Sequence, residues 1–400
     1  MFTDANDLSQ LLWALFFVVL GGVFAIAQHR LFRVPRAWAF FLYVWHTAFC
    51  LIYVDYTRDN IADTWAYYAY SLESGASFGL GGDAVVAFTA LFSRGLGMSY
   101  EGIFLVYNLI GFIGLIAMAS ALRTAVADKT RWIRQLASLV LLLPGFSFWS
   151  AAIGKDSIAF MAVGLILWSV QRIRSRQVVL IFAVVAMGCV RPHMAGLLTI
   201  ALAFAAILAG SIPMARKVLL ATLMVPVTAF AISLGLNYTG LDDASSINDI
   251  VDYVEQRQYS TFRGGSAVDI ADMSIPERLF AFLFRPLFTE VPGLLGTVVS
   301  FENAILLVGF LSILANMVRR KSSLQDFERI FAFVFVAIAW TLLANTTANL
   351  GLAVRQKTMF TPMLVLLAFS YMRSIPAPAN APPAGTRRPI ARTAPVARAR

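Results

Sequence analysis

"FSFWSAAIGKDSIAF" occupies residues 146–160 and sets a charged pair, Lys155 and Asp156, between two hydrophobic runs of bilayer character. Ionisable groups at membrane depth are costly and persist where they pair, meet water or bind something. This stretch therefore separates two readings, a soluble globule with a faulty core and a membrane body with a polar interior. Composition favours the second: of 400 residues, 59% are hydrophobic and 14% charged, with a mean hydropathy of +0.73. Ordinary soluble domains are far less apolar. Cys50 and Cys189 both fall in apolar runs and read as small buried hydrophobes rather than a disulfide or metal pair.

The chain reads as an all-α polytopic membrane protein of about eleven transmembrane helices, near 11–27, 37–54, 103–121, 135–149, 157–171, 178–190, 194–212, 218–236, 299–318, 330–346 and 358–372. The first run, "LLWALFFVVLGGVFAIA", follows Asp4 and Asp7 with no Lys or Arg, so it lacks the basic leader of a signal peptide. Its basic flank is "QHRLFRVPR". That asymmetry places the N-terminus outside and, after an odd number of spans, the C-terminus in the cytoplasm. Segments assigned to the cytoplasmic side hold 22 of the 32 Lys and Arg residues, so the net charge of +10 belongs to one membrane face and signals no nucleic acid. Residues 1–372 form the transmembrane body. Residues 373–400, rich in Pro, Ala and Arg, are expected to be a disordered basic cytoplasmic tail suited to anionic lipid head groups.

Two outer segments are long, about 55–102 and 237–298. "DAVVAFTALFSRGLG" in the first and "IPERLFAFLFRPLFTEVPG" in the second are amphipathic enough for interfacial helices. The spans that feed this face are short. "VVLIFAVVAMGCV" gives 13 residues before Arg191, or about 20 Å of helix against a hydrocarbon core of about 30 Å. Similar counting recesses Lys155 with Asp156, and Arg355 with Lys357. The expectation is one cationic cavity lined by Lys155, Arg191, Arg355, Lys357 and Arg285, with His193 beside Arg191, that takes an anionic lipid-borne group. The competing reading is snorkelling or internal pairing, for example Lys155 with Asp156.

The first outer loop offers Asp55, Asp59 and Asp63, followed by Tyr67, Tyr68 and Tyr70. A carboxylate can take the proton of an attacking sugar hydroxyl while aromatic rings cover apolar sugar faces. With "SFWSAAIGKDSIAF" at a hairpin and "NLGLAVRQKTMFTPML" before the last helix, this D-x-x-x-Y loop resembles bacterial polysaccharide polymerases of the EpsG and Wzy type. More distantly, it resembles the GT-C class of membrane glycosyltransferases. The resemblance implies a polyprenyl-phosphate or polyprenyl-diphosphate sugar donor and a first-loop catalytic carboxylate, by position Asp63, with Asp59 and Asp55 as alternates. The residues themselves make Tyr67, Tyr68, Lys155, Asp156, Arg191, His193, Arg285, Arg355 and Lys357 the candidate substrate-binding residues. The activity implied is polymerisation of polyprenyl-diphosphate-linked repeat units into an exopolysaccharide or O-antigen-like polymer. The place is the outer face of the bacterial inner membrane, alongside other polysaccharide assembly proteins. This chain departs from the GT-C pattern in placing the loop after its second helix, which an extra N-terminal helix would reconcile.

The alternatives are single-sugar transfer from a polyprenyl phosphate, and a flippase or secondary transporter for lipid-linked saccharides. With three histidines and no metal-ligand spacing, no cofactor is expected beyond a divalent ion held by loop carboxylates. No nucleotide-binding fingerprint is present. His46 reads as a core histidine. The acidic stretch "DDASSINDIVDYVEQRQYSTFRGG" reads either as a solvated loop or as a segment that orders over a bound acceptor.

Overall fold

Prolines, glycines and polar caps set where the helices start. Pro35 precedes the second helix, Ser99 accepts from the Gly102 amide at 3.2 Å, and Asn349 accepts from the Leu352 amide at 2.9 Å. The computed structural model describes residues 5–60, 62–73, 79–210, 247–262, 266–291 and 293–375. The first half holds α1 (Ala5–Ala27), α2 (Arg36–Asp59), α3 (Asp63–Leu72), α4 (Gly82–Ser93), α5 (Tyr100–Ala125), α6 (Arg131–Leu139), α7 (Pro144–Phe148) and α8 (Lys155–Val170). The second half holds α9 (Ile173–Val190), α10 (Pro192–Leu208), α11 (Ile247–Thr261), α12 (Ile275–Phe284), α13 (Gly293–Met317), α14 (Asp326–Thr346), α15 (Leu350–Gln356) and α16 (Thr361–Ser370). Among the described residues there is no sheet, only the isolated bridges Lys129–Ser374 and Ala267–Asn349.

Among the described residues six helices, α1, α2, α5, α9, α13 and α14, are long and apolar enough to cross a membrane. Two bent pairs raise this to eight if each is one span: Arg131–Leu142 with Pro144–Ala151, bent by 47°, and Leu350–Met359 with Thr361–Ser370, bent by 60°. Ten of the eleven expected spans coincide with helices, and 218–236 lies outside the described residues. Two were expected as straight runs and are broken. Apolar counting reads through Pro144 and Pro362, yet each proline starts a new helix behind a non-helical residue, Leu143 or Phe360.

α5 and α8 form the buried centre, flanked by α9, and α10 packs on α9 and α14. The peripheral helices expose large apolar side chains such as Leu12, Phe16, Val23, Phe182 and Leu311, as lipid-facing surfaces do. α8 has 16 residues, about 24 Å of helix, and is almost wholly enclosed by protein. The α5–α8 contact is backbone on backbone: a Cβ on Gly164 would stand 2.2 Å from the Gly114 carbonyl oxygen, and one on Gly114 2.7 Å from Met161 Cα. Small residues that let membrane helices touch in this way replace the missing hydrophobic drive with close packing.

The two long outer segments carry short helices as expected, α3 packed on α4 and α11 with α12 packed on α14. The first begins later than 55, because α2 continues to Asp59 and carries Asp55 and Asp59 on its last turns. At the opposite end the basic loops converge. Ser120 Oγ donates to Phe32 O (2.6 Å), Gln171 Nε2 to Ala121 O (2.9 Å) and Ser323 Oγ to Ala125 O (2.7 Å). Buried Lys129 donates to Ser370 O at 3.1 Å and Ser374 Oγ at 2.9 Å, so residues 373–375 are tied to the body. The rest of the expected tail lies outside the described residues.

Gly164→Leu is expected to separate α5 from α8 at a cost of about 1–3 kcal/mol or more, since no flexible side chain can yield. A lowered unfolding temperature in detergent, relative to Val178→Leu on the exposed face of α9, checks it. Equal behaviour of the two variants would show that the close approach is dispensable.

Candidate functional site

Four charged residues from four helix ends meet on the face that carries α3. Asp156 stands in the first turn of α8, where a carboxylate complements the helix dipole, and it is buried. Arg191 is the lone residue between α9 and α10, and its Nη2 donates to Asp156 Oδ1 at 2.5 Å. Arg355, on the last turn of α15, donates through Nε to Asp156 Oδ2 and through Nη1 to Asp63 Oδ2 at 2.8 Å. Asp63 is the first residue of α3 and is 62% exposed, against 6% for the Asp156 side chain. The cluster is thus graded, with a dry carboxylate beneath, two arginines across it and a wet carboxylate on top.

α3 is fixed from behind. Trp65 stacks on Tyr100 with centroids 3.8 Å apart and donates to Thr57 O at 3.1 Å, while Thr64 Oγ1 and the Tyr100 hydroxyl lie 2.6 Å apart. Tyr68 donates to Met98 O at 3.4 Å and so belongs to this support. Tyr67 faces the cluster. Burial, reinforced by the Asp63 carboxylate, pushes its phenol up to about 12, which keeps it a neutral hydrogen-bond donor. Gly154, at φ +150°, lets the chain enter α8 beneath this ring: a Cβ there would lie 3.5 Å from Tyr67 Cε2 and 4.0 Å from Arg355 Nη2. Composition and periodicity do not single out Gly154, Trp65 or Tyr100; the G-K-D turn was the available signal for the first.

The single cationic cavity expected from sequence is corrected in two ways. Arg191 and Arg355 are not bare cations, since both are paired with Asp156. Lys357 and Arg285 point elsewhere. Lys357 is buried and donates to Asn303 Oδ1 and to Leu283 O (3.3 Å), because it falls one residue past the end of α15 and turns toward α13 and α12. Arg285 Nε donates to Glu290 Oε1 at 2.6 Å within its own loop. Lys155 opens α8 beside Asp156, and His193, in the first turn of α10, lies within electrostatic range of Lys155, Arg191 and Arg257. Asp55 pairs with Arg58 at 3.2 Å on the exposed end of α2, and Asp59 is exposed at its last residue. His46 is a buried core residue beside Phe112.

On the same face, α11 arches over the end of α14. Gln258 Nε2 donates to Asn345 O at 2.8 Å and the Ala348 amide to Thr261 Oγ1 at 2.9 Å. The arch covers a cavity of about 1150 Å³ whose walls include Asp252, Glu255, Tyr259, Asp269, Arg278 and Asn345. Among the described residues no group of three or more His, Cys, Asp or Glu side chains stands together as a metal site. No protein-family model, no curated protein and no solved structure matches the chain.

Removing either carboxylate separates their roles. Asp156→Asn leaves two guanidinium groups without their buried partner, a loss of about 3–5 kcal/mol. Asp63→Asn removes an exposed pairing and costs about 0–1 kcal/mol. Thermal unfolding of the two variants in one detergent checks this; equal losses would mean that Asp156 is not the hub.

Proposed function

We propose that the chain is a GT-C-like membrane glycosyltransferase that polymerises polyprenyl-diphosphate-linked saccharide repeat units at the outer face of a bacterial inner membrane, with its N-terminus outside and its C-terminus cytoplasmic. The observation that carries this reading is the junction of Asp63 with Arg355, Asp156 and Arg191. An accessible carboxylate beside two arginines held at fixed depth is what sugar transfer from a lipid diphosphate needs.

In this mechanism Asp63 accepts the proton of the acceptor hydroxyl as that oxygen attacks the anomeric carbon. The bond from that carbon to the diphosphate oxygen breaks, and the diphosphate leaves with the electron pair on its lipid. Arg191 and Arg355 offset the charge that grows on the leaving group, the largest contribution expected of such a site. Arg191 Nε is buried without a hydrogen-bond partner among the described residues, so one aimed donor is still unused. Arg355 now holds Asp63. A diphosphate that draws off the Arg355 Nη1 donor frees the Asp63 carboxylate, so donor entry would switch on the base. The neutral Tyr67 phenol can donate to a sugar oxygen, and the cavity beneath α11 has room for an acceptor chain.

General-base removal typically costs 10²–10⁴-fold. Asp63→Asn is therefore expected to lower polymer formation by about that factor, and Arg191→Ala to shorten or abolish the product ladder at equal membrane levels. Gel analysis of products from a defined polyprenyl-diphosphate oligosaccharide checks both. A single addition in place of a ladder would assign a one-sugar transferase, and wild-type ladders from both variants would sink the mechanism.

A further inference from the structure

The face opposite the candidate site carries a second cavity, of about 670 Å³, where the ends of α2, α5 and α6 meet. Its walls are largely apolar but include Arg123, Arg131, Arg134, Gln135, Trp38 and Trp132, and among the described residues no acid lines it. The nearest acid in sequence, Asp128, is already engaged by Lys129 Nζ at 3.2 Å and Ser374 Oγ at 2.5 Å. Among the described residues none of the three arginines forms an ion pair, and Arg123 and Arg134 lie close enough to repel one another. Like charges gathered without a counter-charge are held at a cost that an anion would relieve.

α6 shows how the groove is aimed. Arg131, Arg134, Gln135 and Ser138 follow helical spacing and all line the groove. Trp132 and Leu139 also line it and are largely exposed, so they form its rim. α6 opens the bent pair Arg131–Ala151, so its first turns, with the arginines and Trp132, stand at the end of a candidate span, where Arg and Trp side chains suit the membrane–water boundary. Trp38 adds an observation of another kind: its indole N–H is shielded from solvent and meets no acceptor among the described residues. A buried donor left in this state is unfavourable by a kind of loss that a ligand oxygen repairs.

We propose that this groove binds the phosphate of an anionic phospholipid, with Arg123, Arg131 and Arg134 around the phosphate and Trp38 and Trp132 flanking the glycerol region. Planar guanidinium forks match phosphate oxygens in pairs. The inference is independent of the proposed glycosyl transfer, because it concerns the other membrane face and shares no residue with the Asp63 cluster.

The test uses the full chain in detergent, with native mass spectrometry after mixing with phosphatidylglycerol or phosphatidylcholine. Wild type is expected to retain phosphatidylglycerol in preference to phosphatidylcholine. Arg123→Gln with Arg134→Gln is expected to weaken that retention by roughly 5-fold per arginine. Arg172→Gln with Arg174→Gln, a change of equal charge on the same basic face, is expected to leave it intact and so separates a built site from general surface charge. Equal retention of the two lipids, equal loss in the two double variants, or displacement of the lipid by millimolar inorganic phosphate would each overturn the proposal, the last by showing a free-anion site.

Discussion

The double pairing of Asp156 with Arg191 and Arg355 is the constraint around which the half of the bundle that carries α3 is arranged. A buried carboxylate is tolerable only if its lone pairs are taken up and its charge is answered. Here one partner comes from the turn between α9 and α10 and the other from the short helix after α14. For both to arrive, α9 must stop at Val190, the last span must break near Phe360, and the entry to α8 must clear the Tyr67 ring at Gly154. Helix breaks that look like interruptions of a hydrophobic pattern are the means by which three separate chain segments deliver charge to one depth.

This explains which parts were legible in the sequence. Span positions were, because a bilayer demands continuous apolar runs, and those runs are the strongest periodic signal a chain can carry. Depth was also legible: counting residues from Arg191, Lys155 and Arg355 to the opposite basic loops sets them at one level without any structure. Direction was not. Lys357 stands two residues from Arg355, yet a helical turn sends it into the α12–α13 packing, toward Asn303 and the Leu283 carbonyl. Depth is a sum over residues, whereas direction depends on where the helix ends, and helix ends within apolar runs leave only a proline or glycine as a trace. The same blindness concealed the pairing of Asp156, whose partners lie 35 and 199 positions away.

The pairing also alters what the cluster offers chemically. Two arginines answered by Asp156 and Asp63 hold little net charge of their own. A site of that balance does not trap every passing anion. It rewards a ligand that can exchange with a carboxylate already in place, and the exchangeable one is Asp63, since Asp156 is enclosed and Asp63 is open to water. In the proposed mechanism selectivity and activation then share a cause, because the ligand that displaces Asp63 from Arg355 is the one that leaves Asp63 ready to accept a proton.

The two faces of the bundle use charge in opposite ways. On the face that carries α3 opposite charges are matched around the buried Asp156, and the geometry depends on the match. On the basic face Lys129 is buried and saturated by Asp128, Ser370 and Ser374, so it clamps the end of α16 to the loop after α5. The arginines around it are left unmatched. One buried cation therefore closes that end, which leaves Arg123, Arg131 and Arg134 without an ion pair among the described residues. Unmatched arginines at head-group depth are tolerated because the bilayer itself brings the counter-charge, and the membrane thereby completes a surface that the chain leaves electrostatically open.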